Sequence, residues 1–126
     1  MTVTESINVR QVLLEGESFG PQDVVRLQRA IHHHAGEVRQ LCRELLERID
    51  AGESTPENLR ACGITSYLLA DHGTAERCLR QLDGDGMAEF YLAKTLMVLG
   101  RYEEADELFR RAGDHGWDPV DCTLQR

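Results

Sequence analysis

The sequence predicts an all-α protein built from stacked antiparallel αα-hairpins. Three observations predict it. Apolar residues recur at steps of three and four through several segments, and no segment alternates as a strand would. Glycine-centred turns separate those segments at short intervals, too short for crossover connections. Only 3 prolines occur in 126 residues, and two of them, Pro21 and Pro56, sit where a helix would begin.

Residues 1–19 read as a short extension. Val9, Val12 and Leu13 have helical spacing, Ser6 could cap a turn or two there, and Glu15-Gly16-Glu17-Ser18 is a break. A first helix starts at Gly20-Pro21 and buries Val24, Leu27, Ala30 and Ile31. It is expected to end at His32-His33-His34-Ala35-Gly36. A second, over 37–50, carries Val38, Leu41, Cys42, Leu45, Leu46 and Ile49 on one face and its arginines and glutamates on the other. Ala51-Gly52-Glu53-Ser54 connects it to a third, capped by Thr55 and opened by Pro56. That helix is expected to run to about Asp71, burying Leu59 and Cys62. His72-Gly73-Thr74 then turns the chain into a short fourth helix over 75–82, with Ala75, Cys78, Leu79 and Leu82 inward. Asp83-Gly84-Asp85-Gly86 leads to the clearest stretch, 86–112. Phe90, Leu92, Ala93, Leu96, Met97 and Leu99 form one apolar face, Gly100 stops the helix, and Tyr102, Ala105, Leu108, Phe109 and Ala112 form the next. Asp118-Pro119 resembles a further helix start. Residues 119–126 are expected to cap the stack, to begin a further repeat of a longer protein, or to be covered by another subunit.

The 86–119 stretch resembles the tetratricopeptide repeat (TPR) family. Leu92, Ala105 and Phe109 match its motif, and Leu-Gly-Arg-Tyr-Glu-Glu-Ala is typical of its turn. Ala93 replaces a small glycine of the motif. Glu89 stands for the tryptophan, Leu96 for the tyrosine, and Pro119 arrives late. Aligning the three turn glycines, Gly36, Gly73 and Gly100, places Cys42, Cys78 and Ala105 at the close-contact position and Leu46, Leu82 and Phe109 four residues later. The resemblance implies a TPR-like right-handed solenoid of about three degenerate repeats, forming one domain over 1–126. The close-contact residues are unevenly spaced, which makes the middle repeat short.

Charge and motifs narrow the function. The net charge of −8 opposes phosphate-backbone binding and anionic membranes, so neither nucleic acid nor membrane is an expected partner. No apolar run approaches the ~20 residues of a membrane helix, and the N-terminus lacks a basic-then-apolar leader pattern; the cytoplasm is the expected location. Nucleophile elbows, phosphate loops and dinucleotide fingerprints are absent from the sequence. Asp83-Gly84-Asp85-Gly86 lacks the later ligands of a calcium loop. His32, His33 and His34 are consecutive, so on a helix they diverge and do not converge on one metal. His72 and His115 read as turn residues. The 4 cysteines, Cys42, Cys62, Cys78 and Cys122, form no close metal-binding pair and read as reduced packing residues. No cofactor, metal or catalytic residue is expected, and the chain is not expected to be an enzyme.

What remains is a surface for partners. In the TPR family the first helix of each hairpin lines an inner groove that holds peptides or partner helices. By that resemblance Arg60, Tyr67 and Asp71 face the groove from the third helix, and Phe90, Lys94, Met97 and Val98 face it from the fifth. The expectation is a non-catalytic interaction module, a scaffold or adaptor. Lys94 is the single lysine of the groove, which disfavours the multi-lysine clamp for a C-terminal carboxylate. A self-associating structural homo-oligomer is the alternative, and a homodimer, if formed, is expected to be weak. A metal-binding or enzymatic role for the histidine run from His32 to His34 ranks below both.

Overall fold

The structure, a computed structural model, describes Leu13 and residues 19–117. Among them are five α-helices: α1 (Pro21–Asp50), α2 (Pro56–Leu68), α3 (His72–Leu79), α4 (Gly86–Val98) and α5 (Tyr102–Asp114). No described residue is in a strand, and no described helix is long and apolar enough to cross a membrane. The possible capping helix at 119–126 and most of the N-terminal extension lie outside the described residues. Leu13 and Phe19 are buried with the core.

The first expected hairpin is not a hairpin. Residues 21–50 form one helix with a kink at His34, whose φ of −142° and ψ of 49° are non-helical. Gly36 lies inside that helix and takes no left-handed conformation. A helix interior accepts glycine at a cost of about 1 kcal/mol, so the residue marks no stop. The kink leaves both halves amphipathic, with Val24, Leu27 and Ala30 before it and Val38, Leu41, Leu45 and Ile49 after it in the core. Three helical hairpins thus become one long helix and two pairs, α2 with α3 and α4 with α5.

The two pairs follow one plan. Their first helices start thirty positions apart, at Pro56 and Gly86, and so do their second helices, at His72 and Tyr102. Thr55 caps α2 through the Asn58 amide, and Asp85 caps α4 through the Ala88 amide. Both turns close with the same bond: the Asp71 amide donates to the Ser66 carbonyl (2.8 Å), and the Arg101 amide to the Leu96 carbonyl (2.9 Å). This closure needs a left-handed residue, supplied by Ala70 (φ 65°) in one turn and Gly100 (φ 83°) in the other. The expected turn glycine, Gly73, lies instead in the first turn of α3. The helix boundaries shift accordingly: α2 ends at Leu68, and α3 begins at His72, capped by Asp71.

This alignment corrects the close-contact positions. Ala75 corresponds to Ala105 and Leu79 to Phe109; Cys78 and Leu82 do not hold those places. The facing small residues are Gly63 and Ala93, both fully inside. A methyl built on Gly63 would stand 2.6 Å from Leu79 Cγ and 3.3 Å from Cys78 Cβ, so α3 lies directly on the α2 backbone. At the open end of the second pair, Gly86 admits the end of α5: a methyl there would stand 3.0 Å from the His115 carbonyl oxygen.

α2 and α4 are buried around most of their circumference, whereas α5 is buried along one stripe only, Ala105, Leu108, Phe109 and Ala112. α2 packs against α1, α3 and α4, and α4 also packs against α3 and α5. Charges join the outer helices. Arg80 bridges Glu76 and Glu104 (both 2.7 Å), and Arg101 reaches Glu76 (2.6 Å).

Candidate partner-binding surface

Three half-buried side chains meet where α2 lies against α4. Tyr67, in the last turn of α2, approaches Tyr91 of α4 with ring centroids 5.8 Å apart. Lys94, one turn beyond Tyr91, holds its ammonium 5.8 Å from each of those rings and 5.3 Å from the Phe90 ring. These distances are within the reach of cation–π attraction. Burial raises the Tyr67 phenol above its ordinary pKa, so it stays a neutral hydrogen-bonding group. The patch therefore offers flat apolar area with a phenol and one cation, the mixture that suits partner binding.

The floor of this patch is packed aromatic core. Phe90 is 3% exposed. Its ring stacks on Trp117 (5.2 Å, 29°) and meets Phe109 edge-on (5.6 Å). The Trp117 amide donates to the Ala112 carbonyl (2.9 Å), which pins the turn after α5 beneath the patch. Glu89 is also buried, at 3% exposure, and its carboxylate bonds His115 Nδ1 at 2.5 Å. His115, read from the sequence as a turn residue, lies in the turn after α5 and is held by that contact. Glu89 thus fixes the α5 end against the α4 start.

Of the expected groove residues, Tyr67 and Lys94 come together. Phe90 does not reach the surface; it is core, and its burial removes it from any partner contact. Met97 is half-buried and Val98 exposed farther along α4. Arg60 is occupied: its guanidinium pairs with Asp85 (2.6 Å) and donates to the Phe19 carbonyl (3.2 Å), tying α2 to the cap of α4. Asp71 caps α3 and lines a separate cleft. The sequence reading passed over Tyr91, whose one-turn spacing from Lys94 was the available signal. Beyond the patch, Val98, Leu99 and Tyr102 are exposed around the turn between α4 and α5.

The separate cleft holds about 200 Å³ and lies between α1 and the turn joining α2 to α3, lined by Arg39, Cys42, Arg43, Ser66, Asp71 and Thr74 among others. Cys42 Sγ lies 4.0 Å from Cys62 Sγ and 3.5 Å from Ser66 Oγ. Cys42, Cys62 and Cys78 are all free thiols and buried, as the sequence reading expected of Cys42 and Cys78. Hydrogen bonding from Cys62 lowers the Cys42 thiol despite its burial; the same bond, with that to Cys78 and with burial, pushes Cys62 well up. Among the described residues no group of three His, Cys, Asp or Glu side chains is arranged to hold a metal. Around the kink, the His32 and His33 rings lie 4.8 Å apart, edge to face.

Comparison of the chain with family models, with curated proteins and with solved structures returned no match.

Proposed function

We propose that the chain is a TPR-like helical-repeat module that binds a peptide or partner helix without catalysis. The repeat reading is supported by the thirty-residue recurrence of caps, turn closures and close-contact residues. The binding reading rests on one observation, the Tyr67, Tyr91 and Lys94 patch, which draws on the first helix of each pair and is backed by packed aromatics. Aromatic rings that are already ordered lose little side-chain entropy when a partner covers them. The lone lysine favours a partner with an acidic residue beside an apolar one. Three buried free thiols fit a reducing compartment, and the cytoplasm is the proposed location.

The test uses the full chain and two surface variants, Tyr91→Ala and Lys94→Glu, which spare Phe90. Proteins captured by the native chain from an extract should be lost with both variants while circular dichroism stays unchanged. Retention of the same proteins by both folded variants would overturn this surface as the binding site.

A second reading is self-association. The exposed Val98, Leu99 and Tyr102 around one turn favour it. Light scattering across concentration separates the two: a mass that climbs toward a multiple of the chain, and returns to one chain in Tyr102→Glu, supports self-association.

A further inference from the structure

We propose that Cys42 is a peroxide-reactive thiol and Cys62 its resolving partner, so that oxidation closes a disulfide tying α1 to α2. This is independent of the partner-binding reading. It rests on access, proximity and asymmetry.

Cys42 is 7% exposed, and that exposed surface opens into the cleft; Cys62 and Cys78 are 0% exposed. The cleft volume of about 200 Å³ admits a molecule as small as hydrogen peroxide. Arg39 and Arg43, one turn apart on α1 and on either side of Cys42 in sequence, also line it. The thiolate is the reactive form; the hydrogen bond from Cys62 favours it most, burial of Cys42 opposes it, the bond from Ser66 favours it, and the charge of Asp71 on the facing wall opposes it.

The second thiol is already in place. Cys62 lies on a different helix, its sulfur 4.0 Å from that of Cys42. A disulfide holds its sulfurs about 2.05 Å apart, so the two must approach by about 2 Å for the bond to form. The hydrogen bond from Cys62 favours the Cys42 thiolate, which assigns the attack on peroxide to Cys42, and the same bond holds the proton on Cys62 until Cys42 has been oxidised.

The chemistry balances with hydrogen peroxide as oxidant. The Cys42 thiolate attacks one peroxide oxygen, the O–O bond breaks, hydroxide leaves, and the sulfur becomes a sulfenic acid. Cys62 sulfur then attacks the Cys42 sulfur. The sulfenic hydroxyl leaves as water with the Cys62 proton, and the S–S bond forms. Two thiols are oxidised by two electrons, one peroxide is reduced, and the chain loses two hydrogens.

The experiment treats the full chain with hydrogen peroxide under native conditions and maps its peptides by mass. A link between the peptides carrying Cys42 and Cys62, with loss of two hydrogens reversed by dithiothreitol, is the expected result. In Cys62→Ser the Cys42 sulfenic acid should persist and be captured by dimedone. In Cys42→Ser, with circular dichroism unchanged, Cys62 and Cys78 should remain thiols. A wild-type link between Cys62 and Cys78, a Cys42 left unmodified, or a Cys42 carried to sulfinic acid with no link would each overturn the proposal. Alkylation of native wild-type protein by iodoacetamide supplies a check without substitution: Cys42 should label before Cys78, and the reverse order would also overturn it.

Discussion

In the turn between α2 and α3 the left-handed residue is Ala70; thirty positions on, between α4 and α5, it is Gly100. The same contrast runs through both helix pairs. Where the second pair has Ala93, the first has Gly63. Where the second has Phe109 against Phe90, the first has Leu79 lying on bare backbone. α5 has 13 residues, α3 only 8. One backbone plan is therefore filled in two ways. The first pair reaches density by close approach of small residues, leaving room for the sulfurs of Cys62 and Cys78. The second reaches it with aromatic bulk, which also builds the floor under Lys94. The chemistry available to each pair follows: thiols and a cleft in one, a flat aromatic patch in the other.

The sharpest way to break this comparison is to empty both contacts. Phe109→Ala should cost roughly 3–5 kcal/mol and Leu79→Ala roughly 2–5 kcal/mol, the usual span for emptied core positions. The larger loss should fall at Phe109, because Phe90 and, through it, Trp117 lose support together. Urea unfolding of both variants measures this. A larger loss at Leu79 would place the stability centre at the Gly63 contact and reverse the roles assigned to the pairs.

A smaller effect comes from exchanging the facing small residues. Gly63→Ala gains about 1 kcal/mol of helix propensity, but its methyl would sit 2.6 Å from a Leu79 side chain that is 1% exposed. Overpacking of that kind costs about 1–3 kcal/mol, so the net change should be destabilising. Ala93→Gly should also destabilise, by about 1 kcal/mol from propensity. Thermal unfolding decides. A stabilised Gly63→Ala would mean that the two pairs differ in composition and not in closeness.

The turns should respond with opposite signs. An L-residue held left-handed costs about 1–2 kcal/mol, while glycine costs roughly 0.5–1 kcal/mol in added chain freedom. Ala70→Gly should therefore raise the melting temperature slightly, and Gly100→Ala should lower it. Equal signs would show that the turns are not equivalent.

How much of this was legible in the sequence depended on whether local cues agreed. In 86–117 they did. Gly100 was both the turn residue and the helix end. In the first half they conflicted. Gly36 and Gly73 looked like stops but lie within helices, and an alanine took the left-handed place. Asp71, three residues before Thr74, carried the cap signal that locates α3, yet Gly73 masked it. Taking Cys78 for Ala75 then made the spacing of the pairs look irregular. The site divided along the same line. Tyr67 and Lys94 are brought together by adjacent helices. Arg60 was lost to Asp85 across 25 positions, a pairing that no local pattern encodes. Phe90 stood both on the apolar face of its helix and in the expected groove, and its burial under Trp117 and Phe109 decides for the core.

The smallest effect concerns the charges that join the two pairs. Glu76 is partly buried, which raises its carboxyl pKa, but hydrogen bonds from Arg80 and Arg101 prevail and hold it below the ordinary carboxylate value of 4.5. Glu104 is held down chiefly by its hydrogen bond from Arg80. A carboxyl depressed by folding is protonated more readily in the unfolded chain, so its contribution to stability is complete above the unfolded value and is lost as pH falls through the folded one. For Glu76 that window lies below pH 4.5. Partly exposed pairs contribute about 0.2–1 kcal/mol each, so Glu76→Gln should lower the urea midpoint only modestly at neutral pH. The gap between wild type and variant should then close on acidification, and it should narrow in high salt, which screens surface pairs. A gap of constant size from pH 7 to pH 3 would mean that Glu76 acts through packing and not through its charge.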